Sequence, residues 1–213
     1  MVIKPLIHSD IAPFISYFCA LMPSLYIIAG CNGAGKTTAS FTILPDILGC
    51  KEFVNADAIA YGISPFNVEG VAIEAGRIML RRIEELLGEG SDFAIETTLA
   101  TRSYVSLVHK AQAIGYTVKV VYIWLESPKM ALQRVAERVS KGGHNIPEDV
   151  IERRYYRGIS NFFSLFMPVV DAWVIADNTQ NKLQIIASGE KNLEHLIENN
   201  DLWGIVKNQV YGV

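Results

Sequence analysis

The feature that most constrains the fold is a short apolar run that breaks into glycines. Residues 26–38 read Tyr-Ile-Ile-Ala-Gly-Cys-Asn-Gly-Ala-Gly-Lys-Thr-Thr. They satisfy the phosphate-binding pattern G-x-x-x-x-G-K-[ST] at Gly30, Gly35, Lys36 and Thr37. The β-branched residues before the glycines favour a buried strand, and a helix can begin at Lys36. The run therefore predicts a strand, a phosphate-binding turn and a helix, in that order.

The chemistry of this turn explains its residue types. Small residues let successive backbone N–H groups turn inward around a polyphosphate, and the helix adds its positive N-terminal end. We expect Lys36 to reach the β- and γ-phosphates and the Thr37 hydroxyl to ligate Mg²⁺. The predicted nucleotide-binding residues of the loop are Gly30, Cys31, Asn32, Gly33, Ala34, Gly35, Lys36, Thr37 and Thr38. The alternative is a glycine turn that binds nothing.

Composition restricts the class of protein. The 213 residues are enough for one domain with a full core. The 19 basic and 22 acidic side chains nearly balance, which argues against a protein that binds along nucleic acid or an anionic membrane by its charge. Cys19, Cys31 and Cys50 are odd in number and lack metal-ligand spacing, so a reduced, cytoplasmic compartment is expected. Cys31 is interpreted as a small loop residue, with redox control as the alternative.

Residues 1–22 are predicted to be an N-terminal extension, and residues 23–213 a single domain. Residues 11–22 are moderately apolar but too short to span a bilayer, and Pro13 interrupts them. Only Lys4 precedes them, which is a poor charged leader for a signal peptide. The sequence leaves open whether this segment packs on the domain or translation starts at Met22.

Hydrophobic periodicity and breaker residues predict alternating strands and helices. The predicted strands are residues 51–54, 93–95, 116–125, 172–176 and 183–187. The predicted helices are residues 37–48, 68–87, 102–114 and 128–141, one starting at Pro147, and a terminal one at 192–197. This order indicates a three-layer α/β/α fold with a mainly parallel sheet, in which ligands bind at the carboxyl ends of strands.

Two carboxylates follow predicted strands. Asp57 could orient an acceptor hydroxyl and take its proton, as a kinase requires; the alternative is an N-cap for a turn near Ala58. Glu96 could bind Mg²⁺ through water or hold a sugar hydroxyl, again with capping as the alternative. Thr97 and Thr98 could donate hydrogen bonds to the same ligand.

Arginines cluster on two successive predicted helices. Arg134 and Arg138 share one helix face, Arg153 and Arg157 repeat the spacing, and Arg154 lies alongside. Guanidinium groups neutralise charge on a transferring phosphoryl group, so the helices are predicted to form a lid over the nucleotide. The alternative is a solvated face paired with neighbouring acidic residues.

Two absent motifs exclude other nucleotide-binding classes. Residues 181–184 read Asn-Lys-Leu-Gln and fail the guanine-reading pattern Asn-Lys-x-Asp at its last position, and no Leu-Ser-Gly-Gly-Gln signature occurs. A small phosphotransferase fits what remains. Two further hypotheses stay open: a kinase of the same fold acting on a nucleoside, an antibiotic or an RNA end, and a nucleotide-binding regulatory module without transfer.

Together these residues resemble the zeta-toxin family of P-loop kinases. The resemblance runs from about residue 23 to 177. It rests on the predicted helix that contains Arg134 and on residues 29–38, 55–57, 95–98 and 142–147. It implies a P-loop NTPase fold with a helical lid, and ATP- and Mg²⁺-dependent phosphorylation of the nucleotide sugar UDP-N-acetylglucosamine. It also implies a small helical antitoxin that blocks the ATP site.

The same resemblance assigns roles to individual residues. Asp57 would be the base at the sugar hydroxyl, and Glu96 with Thr98 would hold the substrate. The residues that would steady the phosphates are Lys36, Arg134, Arg138 and Arg154.

The chain also departs from the family's pattern. Some toxins carry an arginine where this chain has His144, and Arg153 or Arg154 would take its place. The long C-terminal extension of the plasmid-borne toxins is absent, so the chain looks like a compact, chromosomal-type relative whose acceptor need not be the same.

Overall fold

The computed structural model describes residues 22–211, so the predicted N-terminal extension lies, apart from Met22, outside the described residues. Within this range the strands are β1 (Ser24–Gly30), β2 (Glu52–Val54), β3 (Phe93–Thr97), β4 (Thr117–Trp124), β5 (Ala172–Asp177), β6 (Gln184–Glu190) and β7 (Leu196–Ile197). They form one sheet in the order β2-β3-β1-β4-β5-β6-β7. The first five strands run parallel, and β6 and β7 are antiparallel additions at one edge.

Helices connect the strands. They are α1 (Lys36–Thr42), α2 (Ala56–Ile63), α3 (Ala72–Glu89), α4 (Tyr104–Ala113), α5 (Pro128–Ser140), α6 (Glu148–Asn161) and α7 (Asn200–Tyr211). Short irregular turns extend three of them: π-helical turns Ile43–Ile47 after α1 and Phe162–Phe166 after α6, and a 3₁₀ turn Glu69–Val71 before α3. The pair α5 and α6 pack against each other and correspond to the predicted lid helices.

The central strand shows why the fold has three layers. Every residue of β1 is buried, and its side chains alternate between two separate cores. Leu25 and Ile27 pack with α3 and α4 on one face of the sheet. Tyr26 and Ile28 pack with α1 and α5 on the other. A strand buried on both faces is typical of a parallel sheet covered by helices, which confirms the predicted fold class.

Local signals in the sequence placed several helix ends correctly. The Ser127 hydroxyl accepts a hydrogen bond from the Met130 backbone N–H at 3.3 Å, and Pro128 is the first residue of α5. Gly90 ends α3 in the left-handed conformation, with φ of 66°.

The terminal helix predicted at residues 192–197 is wrong. That stretch contains β7, and the last helix begins only at Asn200. Leu193, Leu196 and Ile197 have helical spacing, but Leu193 and Leu196 are 62% and 49% exposed, so these side chains are not buried against the core that would stabilise an amphipathic helix. The true helix buries Trp203 and Val206, three residues apart on one face.

Over the described range, no helix is long and apolar enough to cross a bilayer.

Candidate active site

The register of three neighbouring strands brings the predicted site residues to one edge of the sheet. Ile28 of β1 lies beside Glu96 of β3, and Val54 of β2 lies beside Ile95. The loop after β1, the residues after β2 and the end of β3 therefore meet at the carboxyl edge. This is the edge where parallel α/β sheets bind ligands.

The phosphate-binding loop needs glycine at two positions for different reasons. A Cβ on Gly30 would lie 2.2 Å from the Ile123 carbonyl oxygen, so the loop passes too close to β4 for a side chain. Gly35 has φ of 85°, a left-handed conformation that favours glycine, and a Cβ there would lie 2.6 Å from Asn178 Nδ2. The glycines of the sequence pattern thus correspond to close contacts in the fold.

Lys36 and Thr37 begin α1 and both contact one carboxylate. The buried Lys36 ammonium donates to the Cys31 carbonyl at 3.0 Å and lies 3.6 Å from Glu96 Oε1. The Thr37 hydroxyl donates to Glu96 Oε2 at 2.7 Å. A lysine, a hydroxyl and a carboxylate therefore converge at the mouth of the loop.

Glu96 does not cap a helix, because the next helix begins only at Tyr104. Its side chain is 11% exposed, and its Oε2 also accepts a hydrogen bond from Asn55 Nδ2 at 2.7 Å. The carboxylate thus links the end of β3 to the residues that follow β2 and to the start of α1.

Asn55, and not Asp57, is the N-cap of α2. The Asn55 Oδ1 accepts from the backbone N–H groups of Asp57 and Ala58 at 2.8 and 3.1 Å. Asp57 is exposed, and its carboxylate has no hydrogen bond or ion pair with residues of the 22–211 range. Its side chain is thus available to a ligand. An asparagine directly after a strand and before a helix was the signal that could have identified the cap.

A cavity of about 750 Å³ opens at this edge of the sheet. At the phosphate-loop end its lining residues are Asn32, Lys36, Asn55, Asp57, Glu96, Thr97, Thr98 and Arg154. The remainder lies between α3 and α4. A volume of this size is typical of pockets that enclose a whole small ligand. The predicted donor and acceptor residues therefore face one space.

The two threonines after Glu96 lie in a fixed turn. The Thr97 hydroxyl oxygen accepts from the Leu99 N–H at 3.1 Å, and the Thr98 hydroxyl oxygen accepts from the Ala100 N–H at 3.5 Å. Asn161 of α6 donates to the Leu99 carbonyl at 2.7 Å and holds the turn in place. Sequence reasoning missed Asn161, since nothing local indicates this contact.

The structure separates the predicted arginines. Arg154 lines the cavity and lies 3.4 Å from Asn32 Oδ1. Arg134 instead donates to two backbone carbonyls of the loop after β5, and Arg138 donates to the His144 carbonyl at 2.9 Å. Arg153 pairs with Asp149 on its own helix. Of the five arginines that the sequence groups on these two helices, Arg154 is the one that lines the cavity.

The loop after β5 supports the phosphate-binding loop from outside the cavity. Asn178 Nδ2 donates to the Ala34 carbonyl at 2.8 Å, and the Asn178 and Thr179 carbonyls accept from Arg134 at 2.8 and 2.9 Å. Asn178 was not predicted from the sequence. It lies 144 residues from Ala34 along the chain, so no local pattern could indicate the contact.

Cys31 has the properties of a structural residue. It is 2% exposed, and burial raises the pKa of its thiol to about 11. At neutral pH the thiol is therefore protonated and shielded, which argues against the alternative of redox control.

Most of the chain is similar to known proteins. The family model for the zeta toxin matches residues 51–188. An uncharacterized protein of Haemophilus influenzae strain Rd is 32% identical over 127 residues, which are 59% of this chain and 88% of that protein.

Two solved structures have similar folds. The crystal structure of AvrRxo1-ORF1:-ORF2 with ATP has a TM-score of 0.74 at 18% identity, covering 89% of this chain and 65% of that one. The chain therefore spans about two thirds of that protein. The PezAT chromosomal toxin-antitoxin system of Streptococcus pneumoniae has a TM-score of 0.66 at 16% identity, covering 93% and 83%. Because the family model matches more than half of the 213 residues, the chain belongs to the zeta-toxin family of P-loop kinases.

Proposed function

We propose that the protein transfers the γ-phosphoryl group of ATP to a hydroxyl group of a nucleotide sugar such as UDP-N-acetylglucosamine. One observation carries the proposal: Lys36 of the phosphate-binding loop and the Asp57 carboxylate line the same cavity. Direct transfer requires the donor phosphate and the acceptor hydroxyl to meet in one water-poor space. A nucleotide-binding module without transfer would have no need of the Asp57 carboxylate in this cavity in addition to that of Glu96.

The donor half consists of the phosphate-binding loop and the start of α1. Backbone N–H groups and the helix N-terminus would hold the polyphosphate, and the Lys36 ammonium would neutralise its β/γ end. The Thr37 hydroxyl and the Glu96 carboxylate offer oxygen ligands, which Mg²⁺ prefers, and their 2.7 Å contact shows that both reach one point. Bound Mg²⁺ would supply charge neutralisation at the phosphates.

The acceptor half begins at Asp57. Its carboxylate would accept the proton of the acceptor hydroxyl as that oxygen bonds to the γ-phosphorus. The bond from the γ-phosphorus to the bridging oxygen breaks, and ADP leaves with the electron pair. The Thr97 and Thr98 hydroxyls line the same cavity, and the Thr98 hydroxyl can still donate a hydrogen bond to a sugar oxygen.

Arg154 is the arginine best placed to stabilise the transferring phosphoryl group, because it lines the cavity beside Asn32. Catalytic roles for Arg134 and Arg138, which the family resemblance implies, stay predictions. Arg138 is held by the His144 carbonyl, so reaching the phosphates would require the loop at residues 141–147 to rearrange.

A partner protein that covers the ATP site is part of the proposal. The PezAT protein is described as a toxin-antitoxin system, and it shares the fold over most of this chain. A small helical antitoxin in the cytoplasm, where ATP and nucleotide sugars are present, would fit the same arrangement here.

The test is a phosphotransfer assay. Purified protein is incubated with ATP, Mg²⁺ and UDP-N-acetylglucosamine, and the products are separated and weighed by mass spectrometry. We expect a phosphorylated sugar nucleotide and ADP in equal amounts. Product only with another acceptor, in a screen of nucleosides, antibiotics and RNA ends, would support a kinase of different specificity. ATP binding without turnover of any acceptor would contradict phosphotransfer.

A further inference from the structure

The cavity continues well beyond Asp57 into a groove between α3 and α4. One stripe of α3 lines it, at the spacing of three and four residues that places side chains on a single helix face. The stripe comprises Ile73, Gly76, Arg77, Leu80, Ile83 and Glu84. From α4 the facing residues include Tyr104, Leu107 and Lys110. We call this region the α3–α4 groove.

The middle of the α3–α4 groove is open, and its exposed lining combines the apolar Ile73 and Leu80 with the charged Arg77. Ile73 and Leu80 are 77% and 59% exposed although both line a concave surface. Towards the C-terminal ends of both helices, Glu84 of α3 forms an ion pair with Lys110 of α4 and links the two helices. The charges of this pair therefore neutralise each other. Between the pair and Asp57, the lining includes Ile73 and Leu80 beside the cationic Arg77, and the two apolar side chains offer contacts suited to an apolar-faced ligand group.

Gly76 gives a second, independent observation. Glycine in a helix interior is less favourable than alanine, so its presence there calls for a reason. Among the described residues, a Cβ at position 76 would meet nothing within 4 Å, so no neighbouring protein atom demands a glycine. Because Gly76 lines the cavity between Ile73 and Leu80, a side chain there would occupy the α3–α4 groove.

We infer that the α3–α4 groove binds an apolar-faced part of the acceptor, such as a planar base or an aryl group, while the reacting hydroxyl lies at Asp57. Gly76 keeps the space open, and Ile73 and Leu80 form the contact surface. This inference rests on the proposed function, since it divides that same cavity into a reacting end and a recognition end. It makes Gly76 and Leu80 determinants of acceptor specificity with no part in the chemical step.

The chain offers a matched control for Gly76. Gly88 lies in the same helix, a Cβ at position 88 would also meet nothing within 4 Å, and Gly88 is outside the cavity lining. Gly76→Leu and Gly88→Leu both replace a glycine of α3 with a good helix former, the first in the helix interior and the second in its last turn, so neither should lower the Tm. Any difference between them in ligand binding then reports the groove.

Isothermal titration measures binding of three ligands and of ATP to both variants and the parent protein. UDP-N-acetylglucosamine and p-nitrophenyl N-acetylglucosaminide carry a planar ring in addition to the acetamide that all three share, and free N-acetylglucosamine has no planar ring. We expect Gly76→Leu to weaken the first two by about tenfold or more, a loss that one misplaced side chain readily causes, while ATP and the free sugar are unchanged. The Gly88→Leu protein should bind all four as the parent does.

The outcomes separate this inference from the proposed function. Equal binding of the three sugars by the parent, no binding of the two planar ligands, or no effect of Gly76→Leu would overturn the inference. Intact binding that depends on Gly76, with no phosphorylated product, would count against phosphotransfer to these sugars and leave the recognition groove in place. Leu80→Gln, which changes polarity and keeps the backbone, should reproduce the loss for the planar ligands.

Discussion

The Thr37 hydroxyl donates a hydrogen bond to Glu96 Oε2 at 2.7 Å and joins the first turn of α1 to the end of β3. The strand register explains the contact, because Glu96 lies beside Ile28, two residues before the phosphate-binding loop begins. The family resemblance assigns Glu96 to the acceptor. Its contacts with Lys36 and Thr37 bring it to the phosphate-binding loop as well, so in the proposed function it lies between the donor and acceptor halves.

Replacing Glu96 by Gln should lower kcat by about 10²- to 10³-fold, the usual cost of removing one group that stabilises charge at the reacting centre. The amide keeps the shape but loses the charge beside Lys36, so a higher Mg²⁺ concentration should be needed for half-maximal rate. A Mg²⁺ titration of the phosphotransfer rate measures both effects. Glu194→Gln, at an exposed position, is the control. An unchanged rate and Mg²⁺ requirement would remove Glu96 from the site.

Replacing Asp57 by Asn should lower kcat by about 10²- to 10⁴-fold, because an amide cannot accept the hydroxyl proton. ATP affinity should not change. Since Asn55 caps the helix, the free energy of unfolding should fall by at most about 0.3–1 kcal/mol, the worth of one acidic residue in a first helical turn. Single-turnover kinetics and urea unfolding check these outcomes.

The control for Asp57 is Asp46→Asn. Asp46 is likewise exposed and lies in the first turn of a helical segment, but away from the cavity. A full rate from the Asp57→Asn protein would exclude Asp57 as the base, and a loss of ATP binding would assign it to the donor half instead.

The parts of the site that could be predicted from sequence are those that local chemistry determines. The phosphate-binding loop follows from its glycines and Lys36, and the start of α5 follows from Ser127 and Pro128. The all-buried strand β4 follows from its β-branched and aromatic residues, which run without interruption from Val120 to Trp124 after Lys119. Each of these features depends on residues that are close together in the sequence, so it can be predicted without knowledge of the tertiary fold.

The contacts that position the site could not be predicted, because they join distant segments. Asn178 reaches Ala34 and Asn161 reaches Leu99 across 144 and 62 residues. The separation of Arg134 from Arg154 has the same origin, since it depends on how α5 and α6 pack. Equivalent spacing on two helices predicts a shared helix face but does not determine which residue faces the cavity.

Asn55 has two functions that different substitutions can separate. Asn55→Ala removes both the helix cap and the donor to Glu96, so the free energy of unfolding should fall by about 1–2 kcal/mol or more. Asn55→Asp keeps an oxygen acceptor for the cap but places a second carboxylate against Glu96. Its stability should therefore rise relative to the parent as pH falls from neutral and one carboxylate takes up a proton.

Urea unfolding of both Asn55 variants at neutral and mildly acidic pH checks this. If Asn55→Asp lost as much stability as Asn55→Ala at every pH, the cap would not be the main contribution. A parent-like pH dependence of Asn55→Asp would show that the two carboxylates do not face each other.

Arg134 and Arg154 should differ in the step that they affect. Arg154→Ala should lower kcat by about 10²-fold with little change in ATP affinity, because its side chain lines the cavity in which we propose that the phosphoryl group is transferred. Arg134→Ala should weaken ATP binding and lower the Tm, because Arg134 holds the Asn178 loop against the phosphate-binding loop. Rapid-quench kinetics, nucleotide titration and thermal unfolding separate the effects. A loss of kcat in Arg134→Ala with unchanged Tm and ATP affinity would support the catalytic role that the family resemblance implies.

The Cys31 thiol should stay unreactive in the folded protein. In a Cys19→Ser background, N-ethylmaleimide should modify Cys31 and Cys50 only when urea unfolds the chain, because both are 2% exposed. Burial raises the pKa of the Cys31 thiol from 9.0 to about 11, so the folded state holds this proton more tightly than the unfolded chain does. The contribution of Cys31 to the free energy of unfolding should therefore be nearly constant below about pH 9 and fall by about 1 kcal/mol near pH 10. Cys50, whose pKa burial likewise raises to about 11, should add a loss of its own over the same interval. The Cys31→Ala protein should lose less stability over that interval, and rapid modification of Cys31 at neutral pH would contradict its assignment as a structural residue.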